Sequence, residues 1–76
     1  MELRWTRLAR EALATDQLTE EAVSEAILKP FAVFEQHDAI RYHAIVGDRP
    51  VGVAVTRGTF PPRVITVFAL REEWLP

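Results

Sequence analysis

The sequence predicts an α+β domain in which two N-terminal helices pack on one face of a four-stranded antiparallel meander sheet. Three observations predict it. Apolar residues recur at helical spacing up to Pro30 and alternate with a period of two beyond it. Each helical stretch opens on a threonine placed to cap it. The alternating half is cut into short runs by clusters of Gly, Pro and Asp, the residues that turns require. All 76 residues read as one domain, and a chain of this length buries only about 60% of its unfolded surface, so its core is small.

Thr6 caps a first helix over about Arg7–Ala14, with Leu8, Ala9, Ala12 and Leu13 on one face. Thr15-Asp16-Gln17-Leu18 breaks that pattern, and Thr19 caps a second helix whose first turn carries Glu20 and Glu21 at the positive end of the helix dipole. Leu18 and Val23 are spaced for a hydrophobic staple across this cap. Pro30 stops the helix, because a residue preceding proline is pushed out of the helical region.

Phe31–Glu35 is the first strand, and Gln36-His37-Asp38 its turn. Ile40–Val46 follows, then Gly47-Asp48-Arg49-Pro50 as a hairpin connection, Val51–Arg57 pairing back, the loop Gly58–Pro62, and Arg63–Ala69 as the last strand. The tail after Leu70 reads as a short helix or as frayed chain. Leu3-Arg4-Trp5 is a short segment that adds an edge strand if it pairs. Helices covering one sheet face leave the other open to solvent or a ligand.

Composition narrows the function. Net charge is -2, with 49% hydrophobic and 26% charged residues, an ordinary globular balance. There are no cysteines, which excludes disulfides, thiolate metal sites and a cysteine nucleophile. No apolar run approaches the ~18 residues of a membrane span, and Met1-Glu2-Leu3-Arg4 lacks the apolar core of a secretion signal, so the expected location is cytoplasmic, with no membrane. The charges segregate. Acidic residues dominate the first half, while Arg41, Arg49, Arg57, Arg63 and Arg71 fall in the sheet half, which points to an anionic partner.

Arg41 and His43 are two apart on one strand and share a face, a cation beside a group that titrates near neutrality. That pair suits metal-free RNA cleavage, in which a base takes the 2′-hydroxyl proton, an acid protonates the leaving oxygen, and arginines stabilise charge on the phosphate. Arg57 and Arg63, at strand ends joined by one loop, are the candidate clamps. The competing reading is a solvated arginine face with His43 among it. Tyr42 has the opposite parity and reads as core. Phe60, at a loop apex, is placed to stack on a base or to fold back on the sheet. Trp74 and Leu75 either pack into the domain's own groove or anchor a partner. His37 and His43 are the only histidines, and no acidic residue completes a metal site with them, so neither a metal nor another cofactor is expected. Ser24, the only serine, lies in the acidic helix and leaves no serine triad.

Taken together, the element order, Arg41-Tyr42, Val53–Arg57 and Arg63–Arg71 resemble the RelE/ParE toxin superfamily, in particular BrnT-like toxins and an uncharacterised RelE-like bacterial domain family. Thr6–Ala9, Thr19–Val23, Arg41-Tyr42 and Ile65–Phe68 stand where those domains carry recurring motifs, and Leu8 stands where many carry histidine. The resemblance implies a single RelE-like domain over residues 1–76 and a metal-independent endoribonuclease that cuts mRNA, often on the ribosome, and is neutralised by an antitoxin. It carries Arg41, Arg57, Arg63 and Arg71 over as basic sheet residues. The first reading is therefore a toxin–antitoxin ribonuclease with Arg41, His43 and Arg57 catalytic and Arg63, Arg71 and Phe60 on RNA. A non-catalytic module binding protein or RNA through the same sheet is the alternative, favoured by the net charge and by Leu8. A homodimer closed through an edge strand or the C-terminal tail is the third.

Overall fold

The computed structural model describes residues 1–76. The elements run β1 (Arg4–Trp5), α1 (Arg7–Asp16), α2 (Glu20–Leu28), β2 (Ala32–Glu35), β3 (Ala39–Val46), β4 (Arg49–Thr56), β5 (Arg63–Ala69) and a C-terminal 3-10 turn, Glu72–Trp74. The class is α+β. The sheet, however, has five strands rather than four and is mixed: its order is β1-β5-β4-β3-β2, with β2 to β5 an antiparallel meander and β1 parallel to β5. Local pattern could not decide this, because two residues carry no period; β1 is held by the amide of Arg4 donating to Pro62 O (2.8 Å) and that of Thr6 to Val64 O (3.2 Å).

Both threonine caps form as their spacing predicts. The Thr6 hydroxyl oxygen accepts from Ala9 N (3.0 Å) and the Thr19 hydroxyl from Ala22 N (3.1 Å). Thr6 also donates its hydroxyl proton to Ile65 O (3.1 Å), tying the start of α1 to β5. At the far end of α1, Gln17 adopts a left-handed φ of 54°, and Arg49 donates to the last carbonyls, Asp16 O (2.6 Å) and Gln17 O (3.0 Å).

α1 packs on β5, and α2 on β3 and β4. The core between the two layers is made of small side chains, Ala9, Leu13, Val23 and Ala26 from the helices against Ala44, Val51, Val53, Val55, Val64 and Val67 from the sheet. Tyr42 packs against that core, on the face its parity predicts. Leu8 does not join it: at 62% exposure it falls off the buried stripe formed by Ala9 and Leu13. Val64 and Val67 both reach the core although three residues apart, because a bulge between Ala54 and Val55 pairs Val55 with Val64 and leaves Ile65 unpaired.

The β3–β4 connection is tighter than the four residues the sequence suggests. Only Gly47 and Asp48 turn, Gly47 with a φ of +65°, and Arg49 and Pro50 already belong to β4, facing Val46 and Ile45. Pro50 is tolerated because it precedes the β4–β5 ladder, which begins at Val51 with Ala69.

Candidate functional site

β3 turns Arg41, His43 and Ile45 away from the helices, onto the face of the sheet that no helix covers. That face is not a row of solvated cations. Opposite His43, β4 carries Gly52, and across β4 the ring of Phe68 lies over this glycine, where any Cβ would overlap it. Phe34, from β2, stands beside the imidazole at 4.8 Å between ring centroids. The C-terminal turn folds back and stacks Trp74 on the same imidazole at 5.9 Å and 25°, while Phe31 and Phe68 meet it edge-on. His43 is left 3% exposed.

Burial inside this aromatic box holds the His43 pKa below its ordinary value, and the neighbouring Arg41 charge lowers it further. The imidazole is therefore neutral at pH 7, with Nε2 buried and without a hydrogen-bond partner. Arg41 Nε is buried and unpartnered beside it, its guanidinium lying over the Phe34 ring at 4.9 Å. Around this centre Phe31, Phe34, Ile45 and Trp74 remain substantially exposed, so the rim of the box is an apolar, mainly aromatic surface flanked by Arg41 and by Arg71, which sits 5.4 Å over Trp74.

The other expected site residues lie elsewhere. Arg57 is directed across the β2–β3 turn, donating to Gln36 O (3.0 Å) and lying 3.9 Å from Glu35. Arg63 is on the opposite side of β4, next to Arg4 of β1. The two are not brought together: Arg57 reaches toward β2 and Arg63 toward β1. Arg71 pairs with Glu73 at 3.7 Å near the box, and Phe60 projects from the β4–β5 loop, 94% exposed. The spaced arginines of the sheet half thus do not form one cationic face.

Sequence reasoning missed two things here. One is the aromatic enclosure of His43; its only local signal is Gly52, a glycine inside an otherwise valine-rich strand, which marks a close approach. The other is Arg4, whose place beside Arg63 depends on the parallel pairing of β1. No group of three or more His, Asp or Glu side chains is arranged to hold a metal ion, and no helix is long and apolar enough to cross a membrane.

No protein-family model matches this chain, and comparison with curated proteins and with solved structures finds no match.

Proposed function

We propose that this chain is a non-catalytic binding module whose open sheet face docks a partner protein, the antitoxin-like partner that its resemblance to RelE-like domains brings to mind being the occupant to test first. The observation that supports this most is the burial of His43. A general acid or base must come within hydrogen-bonding reach of the reacting proton, and this imidazole is the floor of an aromatic box rather than its opening. What the face presents instead is Phe31, Phe34, Ile45 and Trp74 with two arginines at their edge, the side-chain types that anchor protein interfaces. The exposed rings of Phe34 and Trp74 already carry Arg41 and Arg71, which leaves less ring surface for stacked bases. A segment of mixed apolar and acidic character complements this surface.

A second reading, a metal-independent ribonuclease acting on mRNA, is favoured by one observation: Arg41 Nε and His43 Nε2 are both buried, both unpartnered and on the same face. It requires Trp74 to leave the imidazole before any substrate can reach it. Two experiments separate the readings. Inducible expression of the wild type beside His43→Ala and Arg57→Ala, with growth and total mRNA followed together, leaves mRNA intact in all three strains under the binding reading; loss of mRNA in the wild type alone overturns it. Co-expression with the product of a neighbouring small gene gives a complex that Ile45→Asp disrupts without lowering the domain's melting temperature; a complex indifferent to Ile45→Asp removes the sheet face from the proposal.

A further inference from the structure

We infer that the outer edge of the sheet, where β1 leads into α1, is a binding site for a small phosphomonoester held between Arg4 and Arg63. This stands apart from the sheet-face reading above and rests on different residues.

Six of the eight arginine side chains are engaged, by a carboxylate, by main-chain carbonyls or by an aromatic ring. Arg7, Arg10, Arg57 and Arg71 lie within 4.0 Å of Glu11, Glu20, Glu35 and Glu73, Arg49 donates to the carbonyls ending α1, and Arg41 lies over Phe34. The remaining two, Arg4 and Arg63, are register neighbours on adjacent parallel strands, so their Cα atoms are only about 4.8 Å apart across the ladder. Two like charges side by side with no carboxylate between them repel each other. Their backbones are fixed, Arg4 N donating to Pro62 O and Arg63 N to the Thr56 hydroxyl oxygen, so the pair cannot separate by letting the strand go.

The surroundings add to the positive potential. The first turn of α1 begins two residues past β1 and contains no acidic residue, Arg7 being paired with Glu11 one turn on, whereas α2 starts with Glu20 and Glu21. Basic side chains at the positive end of a helix dipole are unfavourable unless an anion offsets them. The surface here is an open cleft of about 450 Å³ lined by Leu3, Arg4, Trp5, Thr6, Arg10 and Arg63. Arg10 is already engaged by Glu20 at 3.1 Å and lies 5.8 Å over Trp5, so the free donors are those of Arg4 and Arg63.

Two guanidinium groups on neighbouring register positions carry two positive charges, of which one carboxylate offsets only half. A phosphomonoester carries about -1.5 to -2 charge at neutral pH and three strong acceptor oxygens, enough to bridge both forks. The cleft volume admits more than the phosphate, and the parts of Leu3 and Trp5 left uncovered by the core line it beside the two arginines.

The test is titration of the full chain with AMP, adenosine, inorganic phosphate and a short single-stranded RNA lacking terminal phosphates, read by calorimetry and by the Trp5 indole N–H signal, assigned with Trp74→Phe. AMP is expected to bind more tightly than adenosine by about tenfold or more, moving the Trp5 signal but not that of Trp74, with inorganic phosphate intermediate. Arg4→Gln and Arg63→Gln each weaken AMP about tenfold or more while Arg57→Gln leaves it unchanged, all three melting like the wild type. Equal binding of AMP and adenosine, an equal effect of Arg57→Gln, or RNA binding more tightly than AMP through the same arginines overturns the assignment.

Discussion

Replacing His43 by leucine is expected to leave the domain as stable as the wild type or more so at neutral pH, and to remove part of its sensitivity to acid. In the wild type the imidazole is 3% exposed and its Nε2 has no partner. An unsatisfied buried polar group is destabilising by about 1–3 kcal/mol, and leucine relieves that. Against this stands the loss of ring contacts with Phe34 at 4.8 Å and Trp74 at 5.9 Å, for which about 0.5–1.5 kcal/mol is the usual scale. The difference runs from about 0.5 kcal/mol against leucine to about 2.5 kcal/mol in its favour, so most of the range favours leucine.

The pH dependence has a definite sign. Because the folded-state pKa of His43 is lowered, by burial first and by Arg41 second, the folded protein takes up this proton less readily than the unfolded chain. The neutral imidazole therefore adds no penalty well above the unfolded value of about 6.5, and stability falls as pH drops below that value, levelling only beneath the folded pKa. Between about pH 7.5 and pH 5.5 the loss from this one group cannot exceed about 1.4 kcal/mol, the limit in which the folded imidazole takes up no proton. In a domain of this size that ceiling corresponds to a drop in Tm of at most about 11 °C. The assay is urea unfolding followed by tryptophan fluorescence at both pH values for wild type and His43→Leu. Every other group is common to the two proteins, so the difference between them isolates His43. Identical pH dependence in the two would refute the reasoning, as would a leucine variant less stable than the wild type by more than about 2 kcal/mol at the higher pH.

Two further changes probe how the sheet is assembled. Gly52→Ala places a Cβ into the Phe68 ring and should destabilise by about 1–3 kcal/mol, with a weaker near-UV signal from the aromatic box; an unchanged melting curve would show that the ring moves aside freely. Thr6→Ala removes the cap on Ala9 N and the bond to Ile65 O together and should lower stability by about 1–2 kcal/mol, measured by chemical unfolding, whereas Thr19→Ala, whose hydroxyl serves only its own helix cap, should lower it by less.

How much of this was legible beforehand varies with the range of the interaction. Thr6, Thr19 and Pro30 act on backbone within a few residues, and both helix starts and the end of α2 fall where those residues place them, whereas α1 runs on to Asp16, two residues past the expected Ala14. The parity of Arg41, Tyr42 and His43 is equally local, since a strand alternates whatever it pairs with, and Tyr42 does face the core while Arg41 and His43 face away. The surroundings of the site were not legible in this way. That Phe34, Phe68 and Trp74 meet over His43 depends on β2, β5 and the C-terminal turn arriving together, and that Arg57 and Arg63 diverge depends on which neighbour each strand end meets. The bulge at Ile65 shifts the face of every later residue in β5, and nothing in Arg63–Ala69 marks it.

The sequence by itself thus determined an α+β domain, the starts of its helices and the end of the second, the strand sequence of its meander and the side of the sheet to which each β3 side chain turns, because capping, proline sterics and strand alternation are all settled within a turn or a pleat. Only the tertiary structure decided that β1 pairs parallel to β5, that Arg4 stands beside Arg63, and that His43 is enclosed rather than presented. Those outcomes rest on contacts between segments tens of residues apart, which no alternation or cap within a single segment encodes.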